Sequence, residues 1–306
     1  MIAHTYSYEA TLKDAYKVNW RVEDLIGDTK RLDFTKAFLP DSLAGVKTIT
    51  CLNNTEKLIL NQIRGNSYLH LFGLVEEFIL PMLLDHVRRM GCDNIYETRA
   101  LLCFAEEESK HIHLFRRFSE EFEREFETSC ECIGQIKTIA NIILQHHYLG
   151  VALMTLHIEW MTQLHYLDMV KDNRTEDLDP QFCSLLKHHW MEESQHAKLD
   201  TLLIEQLAQE ISEHEIETGI ADYLAIVKLF DAQLMTQIQL DLESLSRATG
   251  RIFTDSVKDE IQTVQEQSYR SVFLISGMTH PCFMRTLQEL SESGQVRVAE
   301  LAKAIS

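Results

Sequence analysis

The tetrapeptides Glu108-Ser109-Lys110-His111 and Glu193-Ser194-Gln195-His196 both read E-x-x-H, and each follows a separate helix-compatible stretch that carries an apolar-flanked glutamate, Glu76 or Glu159. The spacings run in parallel, with 32 residues from Glu76 to Glu108 and 34 from Glu159 to Glu193. Residues three apart on a helix project from neighbouring turns of one face, so each motif offers a carboxylate and an imidazole to the same side. Two such pairs, plus one glutamate from each of two further helices, give four carboxylates and two imidazoles. That is the ligand set of a carboxylate-bridged di-metal centre inside a four-helix bundle. The expected fold is therefore all-α, a four-helix bundle with additional flanking helices.

Helix breakers are sparse: the chain has four prolines (Pro40, Pro81, Pro180, Pro281) and eleven glycines in 306 residues. Periodicity and capping signals predict bundle helices at about 55–90, 94–128, 132–171 and 180–210, then two more at about 213–249 and 254–278 and a shorter amphipathic tail. Asn53 or Asn54 caps the first long helix, Gly91 ends it, and Asp179-Pro180 opens the fourth. Pro81 should bend the first helix. The first fifty residues read as a lead-in of short helix and loop, with a helix start at Asp41-Ser42. Nothing in between reads as a linker, so residues 1–306 are expected to form a single domain, with the metal-binding bundle at about 55–210 and extra helices at about 213–306.

Projection of the first helix at about 100° per residue groups Glu76 with Leu69, Phe72, Ile79, Leu80 and Leu83. Glu77 turns toward the Arg88 edge, so Glu76 is the preferred ligand. A single E-x-x-H in a glutamate-rich helical chain is most often a surface pair; two copies at parallel offsets point to metal. Hard oxygens with imidazole suit iron or manganese. Four glutamates balance two divalent ions, which makes their shared burial tolerable. His189 precedes Glu193 by four residues and His196 by seven, so the three fall within about 60° of one face. On spacing alone it is a third imidazole for the site or a core histidine. Asp200, four residues after His196, is an acceptor for an imidazole or a solvated helix-end aspartate. Phe72, Phe104, Thr155, Thr162 and Tyr166 are cavity-lining or packing residues, and His146, His147, His157 and His165 lack an acidic partner at ligand spacing.

Composition restricts partners. A formal charge of −18 opposes binding to phosphate backbones, so neither nucleic acid nor an anionic membrane is expected. Seven cysteines (Cys51, Cys92, Cys103, Cys130, Cys132, Cys183, Cys282) form an odd set without zinc spacing, the usage of reduced thiols in a cytoplasmic protein. No basic n-region followed by an apolar core opens the sequence, so no signal peptide is expected. Residues 138–158 lack Asp, Glu, Lys and Arg and so imitate a membrane span. The run nevertheless contains Asn141, Gln145, His146, His147 and His157 and ends against Glu159, which suits a central bundle helix better.

The pattern Glu, E-x-x-H, Glu, H-x-x-x-E-x-x-H resembles the non-haem di-iron arylamine N-oxygenases, typified by p-aminobenzoate N-oxygenase, within the ferritin-like superfamily. The resemblance spans roughly residues 55 to 210. It implies Glu76, Glu108, His111, Glu159, Glu193 and His196 as metal ligands and His189 as the additional histidine ligand of that family. It further implies two Fe ions, with Mn an alternative, O2 as co-substrate, a small-molecule amine substrate, an external electron donor or reductase, and a homodimer. No flavin or nicotinamide fingerprint is present, consistent with outside electrons. The rival readings are di-iron oxidation at carbon (hydroxylation, desaturation or halogenation of an acyl or aromatic substrate) and, in another class, iron storage or handling. The roughly one hundred residues beyond the bundle suit a covered pocket better than a storage protein.

Overall fold

The computed structural model describes residues 4–27 and 29–306. The helices are α1 (Tyr8–Ala15), α2 (Asp41–Ala44), α3 (Asn54–Met90), α4 (Ile95–Glu125), α5 (Ile136–Ile143), α6 (Tyr148–Leu167), α7 (Pro180–Glu210), α8 (Glu213–Thr249), α9 (Asp255–Arg270), α10 (Ser276–Met278), α11 (Pro281–Leu290) and α12 (Glu292–Ala304). The fold is all-α. Helices α3, α4, α6 and α7 form the bundle, in which α3 lies along α4 and α6 along α7, while α4 meets α7 and α3 meets α6.

The long helices begin where the backbone N–H groups of a first turn find acceptors. Asn53 accepts from Thr55 and Glu56, and Glu56 reaches back to the Asn53 N–H in a capping box. Asp179 accepts from Phe182 and, through its other oxygen, from Asp33, so one buried carboxylate both caps α7 and anchors the lead-in segment. Asn94 caps α4. Helix α3 ends at Gly91, whose positive φ of 72° suits glycine. Pro81 lies inside α3, which continues through it.

The third bundle helix departs from the expected 132–171. Its charge-free run is interrupted between Ile143 and Tyr148, which divides it into α5 and α6. The His147 backbone N–H donates to the Asp222 carboxylate on α8, and the His147 ring accepts from the Leu149 N–H, so two polar partners redirect the chain and start α6 afresh. This break also removes the span-like run as one rod. Helix α3 is instead long and apolar enough to cross a membrane by length and hydropathy, with 67% of that 18-residue window buried within the protein.

The expected helix 254–278 also contains a change of pitch. After α9 comes a π-helical turn, Ser271–Ile275, before α10. There the Ser276 N–H bonds to Ser271, and the carbonyls of Val272 and Phe273 accept from the buried imidazoles of His165 and His157 on α6. The tail is two helices, α11 and α12, and the lead-in holds α1, a short 3₁₀ turn and α2.

Helix α8 packs across α6 and α3. A buried network fastens it: Ser67 of α3 donates to Asp241 at 2.6 Å, Gln237 donates to the same oxygen at 2.8 Å, and Tyr269 of α9 donates to the other. Arg64 lies 3.3 Å above the Tyr269 ring. Every member is tied to another element, so burial of these polar groups fixes how the added helices sit on the bundle. Gly277 permits the closest approach, because a Cβ there would stand 2.1 Å from His157 Cδ2 and 2.7 Å from the His157 carbonyl oxygen. Gly277→Ala should therefore destabilise the protein by about 1–3 kcal/mol through overpacking, read as a lowered urea midpoint.

Candidate metal centre

Four helices deliver the seven residues singled out by spacing to one place: Glu76 from α3, Glu108 and His111 from α4, Glu159 from α6, and His189, Glu193 and His196 from α7. None is more than 2% exposed. Glu77 is half-buried and pairs with Arg116 at 3.0 Å at the surface, leaving Glu76 as the inward glutamate. One glutamate from each of two helices and E-x-x-H from each of the others is the ferritin-like arrangement.

The donor atoms form two overlapping groups, each within 4.8 Å: Glu76, His111, His189 and Glu193, and Glu108, His111, Glu193 and His196. Glu193 is the hub. Its Oε1 lies 3.1 Å from His111 Nδ1, 2.9 Å from His189 Nε2 and 3.5 Å from His196 Nδ1. Glu108 Oε1 lies 2.9 Å from His196 Nδ1 and 3.7 Å from His111 Nδ1. Glu159 falls outside both groups but adjoins them, 3.9 Å from His196 Nδ1.

Several of these inward atoms are buried without a hydrogen-bond partner: Glu76 Oε2, both oxygens of Glu108, His111 Nδ1, Glu159 Oε2, His189 Nε2, Glu193 Oε1 and His196 Nδ1. Buried polar atoms are normally satisfied, and an orphan carries a desolvation penalty of about 1–3 kcal/mol. Eight such atoms converging on one point form a cradle for cations. Hard oxygen with imidazole nitrogen fits iron or manganese.

The outward nitrogens are, by contrast, tightly held. His111 Nε2 donates to Glu192 at 2.9 Å and His196 Nε2 donates to Glu107 at 2.9 Å, so each motif helix orients the other's histidine. These bonds leave Nδ1 of both rings facing the cluster. Glu107 and Glu192 lie outside the expected ligand set, although the repeat is longer than E-x-x-H: Glu107-Glu108-Ser109-Lys110-His111 and Glu192-Glu193-Ser194-Gln195-His196 share E-E-S-x-H. Lys110 pairs with Glu192 and stands 4.3 Å over the ring of Trp20, which stacks on His111 with centroids 6.2 Å apart. The lead-in segment thus supplies a wall of the site, which its aperiodic sequence did not announce.

Asp200 corrects another expectation. It is fully buried rather than solvated, both oxygens lack partners, and Glu107 occupies the imidazole position proposed for it. Burial pushes its carboxyl well above the usual range, with Glu108 and Glu193 adding to the effect against His196. Phe104 stacks on His196 at 3.9 Å, and Phe72 meets His189 edge-on at 5.3 Å. Thr155 and Thr162 donate to Val151 and Ile158 of their own helix, and Tyr166 stacks on Trp190 at 4.6 Å. His157 and His165 are core groups, while His146 and His147 are partly exposed at the α5–α6 junction.

Protons balance the cluster's charge. Burial would lower His111, but its hydrogen bond to Glu192 and the adjoining carboxylates of Glu193 and Glu108 raise it to about 10. Burial opposes charge on His196 as well, and Glu193, Glu107 and Glu108 hold it well above the usual range. Burial and Glu193 push Glu159 well up, whereas Glu193, despite its burial, is held well down by His189, Glu159 and the other imidazoles. Burial lowers His189.

No family model matches the chain, and no curated protein matches it. Among solved structures, two variants of an R2-like ligand-binding oxidase with anaerobically reconstituted Mn/Fe cofactor match with TM-scores of 0.47 at 14% identity, over 89% of this chain and 95% and 94% of theirs. A third variant, with aerobically reconstituted Mn/Fe cofactor, matches with a TM-score of 0.46 at 15% identity over 89% of this chain and 95% of its own.

Loading divalent metal must expel protons held by His111, His196 and Glu159, so metal affinity should rise with pH, with proton release measurable by calorimetry in buffers of different ionisation enthalpy. Glu107→Gln and Glu192→Gln should each weaken metal binding by about 10–100-fold through loss of imidazole orientation, while circular dichroism keeps the helical content unchanged.

Proposed function

We propose that this chain is a non-haem di-metal oxygenase that holds two iron ions, or manganese in their place, and uses O2 to oxidise the nitrogen of a small amine. The observation that carries the reading is the set of buried, unpartnered donor atoms pointing at one another from four helices. Glu76, Glu108, His111, Glu159, His189, Glu193 and His196 would hold the metals. A bound pair of redox metals supplies electrons to dioxygen and an electrophilic oxygen to the substrate.

The chain's own residues set the conditions for that chemistry. Glu107 and Glu192 keep two imidazoles turned inward. Phe72, Phe104 and Phe115 close apolar rings around His189 and His196, which excludes bulk water from the donors. A cleft of about 250 Å³ lies between α3 and α4, with Gly73, Ile112, Phe115 and Arg116 among its lining. Phe115 is 5.0 Å from His189, so a ligand in that cleft is one ring away from the site. The third imidazole supports nitrogen as the oxidised atom, following the family whose H-x-x-x-E-x-x-H pattern this chain resembles. Electrons come from an external donor, and the proposed setting is a cytoplasmic, homodimeric enzyme without nucleic-acid or membrane partners.

The test begins with metal content of protein expressed with iron, followed by anaerobic reduction, mixing with O2 and challenge with aryl amines or acyl substrates. Two metals per chain and an optical transient whose decay only amines accelerate are expected. Acceleration only by acyl substrates would move the reaction to carbon, a growing ferric mineral would indicate storage, and no bound metal would overturn the reading. His189→Ala should retain two metals but alter the transient's spectrum and lifetime; an unchanged spectrum would return His189 to the core.

A further inference from the structure

Tyr68 stands on α3 two turns before Glu76, 2% exposed, in a position that the donor set does not use. Its hydroxyl lies 2.9 Å from His165 Nδ1, and His165 Nε2 lies 3.0 Å from the Val272 carbonyl oxygen. A carbonyl oxygen only accepts, so Nε2 carries the ring hydrogen and Nδ1 of the neutral ring is the lone-pair acceptor of the phenol proton. The tautomer is fixed by the π-helical turn, which presents Val272 to α6. Burial keeps His165 uncharged, lowering it to about 4, so it is free to accept.

The pair is also coupled to the metal cradle by ring contacts. Phe72 lies between them, 4.5 Å from the Tyr68 ring and 5.3 Å edge-on to His189. On the far side, Phe273 is 5.6 Å from Tyr68 and 5.9 Å from Tyr269, whose hydroxyl donates to the buried Asp241. Two phenols in series each face a base, and the first is one ring from the cluster. A purely structural tyrosine needs any acceptor; it does not need a buried imidazole with its tautomer set by a third group.

We propose that Tyr68 and His165 form a redox-active pair that drains oxidising equivalents from the metal site when no substrate is bound. The inference rests on the oxygen-activating reading above. Tyr68 gives one electron to the metal pair after its oxidation by O2, reducing that pair by one electron. The phenol O–H bond breaks and its proton forms an N–H bond at His165 Nδ1, leaving a neutral phenoxyl radical and an imidazolium. The imidazolium keeps its bond to Val272 and donates back to the phenoxyl oxygen. An electron from the external donor, together with return of the proton from His165, restores the phenol.

The experiment uses the full chain loaded with iron, reduced anaerobically, mixed with O2 in the absence of amine and freeze-quenched, with optical and electron paramagnetic resonance spectra from the same samples. An organic radical whose hyperfine pattern changes on growth with ring-deuterated tyrosine is expected. It should be lost in Tyr68→Phe, reduced in His165→Gln and retained in Tyr269→Phe. Fluorotyrosine placed at position 68 preserves the side-chain shape and guards against misfolding, and its radical should show fluorine splitting. Metals that are oxidised by O2 without any organic radical, or a radical without that splitting, would overturn the pair while leaving the oxygenase reading intact. Metals whose optical spectrum does not respond to O2 would overturn both.

Discussion

The structure depends on burying four glutamates and three imidazoles at one point, with two further glutamates immediately outside them. In a low-dielectric interior, uncompensated carboxylates repel one another and lose hydration. The neighbouring charges answer by holding His111, His196 and Glu159 above their ordinary ranges and Glu193 well below its own. Divalent cations would do the same work without leaving orphaned lone pairs. The apolar rings of Phe72, Phe104 and Phe115, the caps of α3, α4 and α7 and the clamp of α8 hold an arrangement that electrostatics alone would push apart.

Much of this was legible because it is periodic. Paired E-x-x-H motifs, two apolar-flanked glutamates and the near absence of breakers define four helices and the residues that face inward, and α3, α7 and α8 start and stop within a residue of their expected limits. What escaped was set by partners far away in sequence. The α5–α6 break arises because Asp222 accepts from the His147 N–H, a contact across 75 residues with no local signature. The π-helical turn answers histidines on another helix. Trp20 reaches the site from an aperiodic segment. Glu107 and Glu192 were the avoidable omission, since they repeat beside both motifs; helix projection treats a neighbour of a ligand as lying about 100° away, which is where a residue must stand to reach the facing helix.

The helices outside the bundle are attached through its working helices rather than merely lying against them. His157 and His165 sit on α6 on either side of Glu159 and bind successive carbonyls of the turn after α9. Asp241 on α8 gathers Ser67 of α3 and Tyr269 of α9. Both contacts are buried and polar, so slipping an added helix by one residue would strand acceptors in the core. The positions of Glu76 and Glu159 are consequently fixed from outside the bundle as well as within it.

The internal duplication makes its exception informative. Glu107 and Glu192 exchange contacts with His196 and His111 in a nearly symmetric cross-tie, each motif helix orienting the other's imidazole. His189 has no counterpart: the position four residues before Glu108 is Phe104, which stacks on His196 instead of presenting a nitrogen. One side of the cluster therefore offers the donors of Glu76, His111, His189 and Glu193, and the other those of Glu108, His111, Glu193 and His196. A single helical position thus breaks the duplication, and each group holds two carboxylates and two imidazoles. Phe72 and Phe115 enclose His189, and the cleft between α3 and α4, which Phe115 also lines, approaches that same side.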